Sequence, residues 1–531
     1  MKSVLTIAAV GGLALALTAC GSSAGKGGPS GGQQFADGKT FTMVLGADPG
    51  NLDPHMTSLS VTLEADRFLY DSLLNTDQTG KLIAGLAQSW QGTTTSATYV
   101  LRKGVTCSDG SPLTASVVAE NINFVGDPKN ASSRIGVFVP AGATATGDDA
   151  TGTVTVTSKS PSSFLDRQVG GLQIVCDKGM KDRSILKTGA DGTGMFTLTE
   201  AVANDHYTLT RRKDYAWGPG DWKTVQPGLP DKVVLKIVTN ETTAANLLTS
   251  NQVNSAAIIG PDRQRLEALK LFSRSVEAPL GEMWFNQKAG LVASDEAVRK
   301  ALVQALDLTQ LGQVASSGSG KPTTGLVAPG LGPCNQNTVD GNLPGHDDAA
   351  AKTGLDTAGW TAGADGTRAK AGKKLSLSVY YATSVGAGME AAAELLQQTW
   401  KGIGVDVTLK GVTDAEVGTA IVGGQGSWDV VLLPLGTTLP SQLVPFLSGP
   451  SAPNGINFSS INNAEYSADV QAASAIAGSD GCDKWDAAEK SIFQHVNMVP
   501  FVNSTVPTFA QGAQFEFSDG SLAPQTIRML A

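Results

Sequence analysis

The chain has 531 residues, with 39 Lys and Arg against 48 Asp and Glu, a formal net charge of −9 and 41% hydrophobic residues. That length suggests about two to four folding units with sizeable cores. The acidic balance argues against nucleic acid and against a polybasic lipid patch as partner.

Residues 1–19 read as a targeting segment. Lys2 precedes an uncharged run from Val4 to Ala19, shorter than the about 20 apolar residues of a comfortable membrane span. The run ends in Leu17-Thr18-Ala19-Cys20 followed by Gly21, which resembles the lipobox of bacterial lipoproteins. In that chemistry the Cys20 thiol accepts a diacylglyceryl group. Residues 20–37 are Gly- and Ser-rich, cannot bury enough apolar surface to fold, and read as a flexible tether. The tether contains Gly21-Ser22-Ser23-Ala24-Gly25, a literal hydrolase-elbow string, but that motif needs a strand before it and a helix after it.

Further along, Lys39–Leu45 alternates as a strand, and a Pro/Gly/Asp loop leads to His55-Met56-Thr57-Ser58-Leu59-Ser60. An apolar helical face is expected at Phe68, Leu69, Ser72 and Leu73, ending near Asn75. Strands follow at Lys81–Ile83 and Thr98–Arg102, and Thr114 is placed to cap a helix bearing Val117, Val118 and Ile122. Thr153–Thr157, Phe196–Glu200, Tyr207–Arg212 and Leu229–Val238 read as strands, and Asp295–Asp307 as a helix. The last stretch alternates strand Leu375–Tyr381, helix Ala387–Lys401, strands Val405–Leu409 and Trp428–Leu433, helix Trp485–His495 and strand Val499–Val502.

The order of pieces between Tyr70 and Phe124 resembles the signature of the family 5 extracytoplasmic solute-binding proteins, the peptide- and nickel-type receptors of ABC importers. The matching text is Leu69-Tyr70, Gly80-Lys81, Gly85-Leu86-Ala87-Gln88-Ser89-Trp90, Tyr99 through Leu101-Arg102 to Gly104-Val105, and Asp109-Gly110-Ser111-Pro112-Leu113-Thr114-Ala115. One departure is Val117, where the family usually places an Asp as a second capping group. Asp191–Phe196, Asp214–Trp217, Val298–Asp307 and His346–Trp360 resemble later family elements, so the likeness spans about residues 39–510.

The resemblance implies an α/β, two-lobed periplasmic-binding-protein-like fold of type II, in the large three-domain cluster, with mixed sheets and a hinge. Its domains would be 38–55, 190–284 and 499–531 (discontinuous domain I), 56–189 (domain II) and 285–498 (domain III). The implied function is capture of a small solute, peptide or small molecule, and its delivery to an ABC importer permease. The protein would be a monomer on the outer face of the bacterial cell membrane, held by the Cys20 lipid. The alternatives are a sensory or adhesive lipoprotein on the same fold, or a hydrolase.

Candidate ligand contacts are Thr57, Ser58 and Ser60 in the first loop, then Trp284, Asn286, Thr437, Asn457 and Phe458. Apart from Cys20, an even set of cysteines remains (Cys107, Cys176, Cys334, Cys482), which outside the cytoplasm favours disulfides. Spacing leaves three pairings open; the resembled architecture selects Cys107–Cys176 and Cys334–Cys482. The four histidines, His55, His206, His346 and His495, belong to four elements, and no metal or cofactor is expected. Asp148-Asp149 and Asp347-Asp348 read as solvated charge, and no enzyme is expected.

Peptide receptors of the family hold the ligand's α-amino group with an Asp after the strand matched here by Trp428–Leu433. The corresponding text, Pro434–Ser441, has no acid. That favours a neutral or hydroxylated solute unless Asp429, or an acid elsewhere, supplies the charge.

Cys20→Ala is expected to leave the protein unlipidated and unable to partition with membranes. Detergent phase separation checks this, and equal partitioning of variant and wild type would contradict it.

Overall fold

A computed structural model describes residues 34–220 and 222–531; Cys20 and most of the tether lie outside the described residues. The largest element is a ten-stranded sheet. Its order runs Asp406–Val412, Ser376–Ala382, Val430–Leu432, Phe272–Phe285, Met498–Ala510, Ser255–Ala257, Thr40–Leu45, Lys232–Ile237, His206–Arg211, Phe196–Val202.

Two strands cross this sheet from one lobe to the other. Phe272–Phe285 and Met498–Ala510 pair antiparallel from Phe272 opposite Ala510 to Trp284 opposite Met498. At one end Met498–Ala510 borders Ser255–Ala257. At the other, Met283 and Phe285 pair with Leu432 and Val430. The register shifts at Pro279–Glu282, where Pro279 has no ladder donor and a Cβ on Gly281 would sit 2.2 Å from the Phe501 ring. The break therefore falls midway between the lobes.

A separate four-stranded sheet, Ala87–Gly92, Ser96–Leu101, Thr153–Thr157 and Thr144–Asp148, carries helix Ala115–Gly126. The alternation in Ser96–Leu101 sends Ala97, Tyr99 and Leu101 into the core opposite Val154 and Val156. Thr114 caps the helix as expected, its hydroxyl accepting from the Val117 amide at 3.3 Å. The acid missing at Val117 is replaced from a neighbouring turn: Asp149 accepts from the Ser116 amide at 2.8 Å and the Ser116 hydroxyl at 3.0 Å. Asp347 likewise caps helix Asp348–Thr357, so one acid of each adjacent pair has a local structural role.

One helix expectation is corrected. The helix is Ser60–Asp66, and Phe68–Leu73 is a buried turn leading to strand Leu74–Thr76. The turn is fixed by Asp71, which accepts from Thr193, Tyr215 and Trp217, each at 3.0 Å. Gly192 and Gly194 lie so close beneath it that a Cβ on either would come within 2.3–2.4 Å of the Leu69 backbone. These glycines serve close packing. The Gly85–Trp90 text leads into strand Ala87–Gly92.

The structure joins Cys107 to Cys176 and Cys334 to Cys482 across sequence separations of 69 and 148 residues. In the chain-entropy account loops of that length contribute about 4 and about 5 kcal/mol respectively. Denatured protein without reductant is expected to show no alkylatable thiol among these four. The Cys334→Ser/Cys482→Ser double variant should lose on the order of 5 kcal/mol of unfolding free energy, measured by denaturant titration.

Candidate functional site

A cavity of about 320 Å³ lies between the lobes. One wall comes from the first lobe: Pro54, Ser60, Leu63, Glu64, Arg67 and Tyr70, with Arg134, Val137 and Phe138 beside them and Leu172–Gln173 behind. The opposite wall is Gly436, Thr437, Thr438 and Gln442, and Asp519–Gln525 closes one end. A larger, outward-opening cavity of about 600 Å³ is lined by Thr76, Trp222, Phe515, Phe517 and Arg528 among others, and no residue of 285–498 reaches it. Of these two cavities, the smaller is the one shared by both lobes.

Local folding explains the walls. Helix Ser60–Asp66 is short and lacks a side-chain N-cap; it ends where Asp71 pins the buried turn, so Glu64 and Arg67 are held toward the cavity. On the far side Pro440 opens helix Pro440–Leu447. The Gln442 side-chain Oε1 accepts from the Thr438 and Leu439 amides at 3.1 Å. Glu282, on the long interlobe strand, accepts from the Leu435 amide at 2.8 Å, tying the cavity loop to the hinge.

Of the expected contact residues, Ser60 and Thr437 line the cavity. The Thr437 hydroxyl is buried without a partner. Thr57 is buried and accepts from the Leu59 amide at 3.0 Å, and Ser58 is exposed outside the cavity. Trp284, Asn286, Asn457 and Phe458 are not brought to it. Trp284 is fully buried, donates to the Leu433 carbonyl at 2.9 Å and packs on Phe458 at 5.0 Å. Asn286 donates to the Trp428 carbonyl at 3.0 Å, and Asn457 ties Gly449 to Ile461. These groups build the core behind the cleft wall. Asp429 is also occupied away from the cavity, accepting from the Ser378 amide at 2.8 Å.

The residues that sequence reasoning missed are the charged ones, Glu64, Arg67, Arg134 and Asp519. They come from three distant segments, and none lies in a motif that marks it. Burial pushes the Glu64 carboxyl up to about 7, against the pull of Arg67. Burial lowers Arg67 as well, opposed by Asp519 and Glu64. Arg134 is pushed down to about 10 by burial, with Asp66 opposing, and it donates to the Pro54 carbonyl at 3.2 Å. Among the described residues no cluster of three His, Cys, Asp or Glu is placed to hold a metal ion.

The family of bacterial extracellular solute-binding proteins, family 5 (middle region), matches residues 81–456. The chain belongs to that family. Its fold is the family's two-lobed, mixed α/β type II periplasmic-binding-protein fold. Protein XP55 of Streptomyces lividans is 26% identical over 430 residues, covering 77% of this chain and 73% of that protein. The glutathione-binding protein GsiB of Escherichia coli (strain K12) is 25% identical over 302 residues, 55% of this chain and 57% of that protein. Among solved structures, a substrate-binding protein from Microbacterium hydrocarbonoxydans complexed with 4-hydroxybenzoate hydrazide superposes with a TM-score of 0.80 at 26% identity, covering 92% of this chain and 100% of that one. The oligopeptide-binding protein AppA of Bacillus subtilis, in complex with a nonapeptide, gives 0.79 at 19% identity over 94% and 100%. The relatives are solute- or substrate-binding proteins rather than enzymes.

Glu282, fully buried, and Glu64 and Glu489, both half-buried, predict a pH response. Burial pushes Glu282 up to about 8, and Glu64 and Glu489 to about 7. Glu489 accepts from the Leu326 amide at 3.1 Å and from the Thr338 hydroxyl. In this window the native state binds more protons than the unfolded chain, so the stability these groups add is complete below their unfolded pKa and is lost as pH rises through the folded values. His55, pushed down to about 3 by burial, acts in the opposite sense below about pH 6.5 and sets the lower bound. The melting temperature is expected to fall from about pH 6.5 to about pH 8.5, with a shallower slope in Glu282→Gln and Glu489→Gln. Equal slopes in all three proteins would contradict this.

Proposed function

We propose that the chain is an extracytoplasmic lipoprotein that captures a small solute between its lobes and hands it to an ABC importer permease. The observation carrying this reading is the 320 Å³ cavity walled by both lobes, with two continuous strands joining those lobes. A ligand enclosed that way is bound by closure about the strands, by shifting an existing open–closed balance. Family membership supports the class.

The cavity is at the small end of ligand sites, which run about 300–1,000 Å³. It suits a peptide-like or hydroxylated solute of about dipeptide size or smaller. Thr437, Thr438 and Ser60 offer hydroxyls, and Phe138, Tyr70 and Leu63 give apolar wall. Residues 38–55, 190–284 and 499–531 form domain I in this reading, with 56–189 as domain II and 285–498 as domain III. The Cys20 lipid tethers the protein, as a monomer, to the outer face of the membrane.

A thermal-shift screen over peptides, glycosides and aromatic amides tests the reading. A ligand at about 100 times its Kd is expected to stabilise by about 2.7 kcal/mol, with a melting temperature that rises with ligand concentration. Thr437→Val should weaken the best hit several-fold. A folded protein that responds to no class, and yields no co-purifying solute by native mass spectrometry, would overturn it.

A further inference from the structure

The cavity contains one acid that nothing in the protein neutralises by contact. Glu64 lines it from the last turn of helix Ser60–Asp66. Among the described residues its carboxylate accepts no hydrogen bond and makes no ion pair, whereas the other acids on the wall are engaged. Asp71 receives three donors, and Asp519 accepts from the Thr76 hydroxyl at 3.3 Å. Arg67 stands three residues away at a spacing that commonly pairs on a helix. It turns instead to the Asp519 backbone carbonyl at 3.4 Å.

Glu64 is half-buried on the cavity wall; a carboxylate there without a partner is disfavoured when ionised, and either a proton or a cation relieves it. The Pro434–Ser441 loop opposite carries no acid, and Asp429 is committed to Ser378. A cationic group entering the cavity therefore meets its free counter-charge on the first-lobe wall, while Thr437 and Thr438 line the second-lobe wall.

Resting on the solute-binding reading above, we propose that the cavity selects small solutes bearing a cationic nitrogen, with the Glu64 carboxylate as the counter-charge. The nitrogen would dock on Glu64 and the remainder of the solute would lie toward the second-lobe hydroxyls. The basis for preferring amines over neutral solutes is then the unpaired acid, since a neutral solute would leave it unmatched.

The test uses the purified protein and Glu64→Gln, which keeps shape and removes charge. Each is equilibrated with a pool of free dipeptides and small amines, with the same pool after exhaustive N-acetylation, and with a pool of neutral oligosaccharides. Retained compounds are quantified by mass spectrometry, and melting temperatures without ligand verify folding. Wild type is expected to retain members of the free pool at least tenfold over their acetylated forms, and Glu64→Gln should lose at least tenfold of that retention. Equal retention of amines by Glu64→Gln overturns the assignment, and so does wild-type preference for the acetylated or oligosaccharide pool. If folded wild type retains nothing from any pool, the solute-binding reading falls, and the assignment with it.

Discussion

The pairing of Phe272–Phe285 with Met498–Ala510 is the constraint on which the rest of the molecule depends. A backbone ladder continuous through both lobes fixes which edges face each other, because each half of it recruits different neighbours: Ser255–Ala257 on one side, Val430–Leu432 on the other. The irregularity at Pro279–Gly281 confines bending to the middle of the ladder. Glu282 stands beside that bend, its side chain on the Leu435 amide and its carbonyl on the Leu433 amide. Bending of the strands therefore moves the second-lobe wall of the cavity with it.

Much of the framework was legible in the sequence because it rests on local rules. Alternation located Thr153–Thr157 and Ser376–Ala382, and Thr114 announced its helix. The turn at Phe68–Leu73 was not legible as a turn. Its apolar spacing fits a helix, and the competing force is tertiary: three donors from residues 193–217 seize Asp71. The missing cap at Val117 was visible, but its replacement by Asp149 depends on a contact 33 residues away in sequence.

The cleft was less legible, for a related reason. Aromatic and amide side chains near a family loop fit a binding wall and a polar core equally well. Trp284, Asn457 and Phe458 have their hydrogen bonds and ring contacts satisfied within the protein. In the proposed reading, what marks a ligand contact is a group without a protein partner on the wall of a cavity shared by both lobes, as at Thr437 and Glu64, and that is a property of the assembled lobes. Composition, spacing and motif carry no trace of it.

Between the lobes the Ser163 hydroxyl donates to the Ala473 carbonyl at 2.7 Å and accepts from the Trp485 indole at 3.2 Å. Phe164 packs against Trp485 at 6.3 Å, in a small cluster with Leu439 and Ala473. Arg167 donates to the Leu331 carbonyl at 2.9 Å. The Cys334–Cys482 bridge fastens the second-lobe surface on which Phe164 docks. Each such hydrogen bond is worth only about 1 kcal/mol net. In the proposed closure, contacts of this kind would be the ones that break on opening, because the disulfides lie within the lobes and the ladder continues through both.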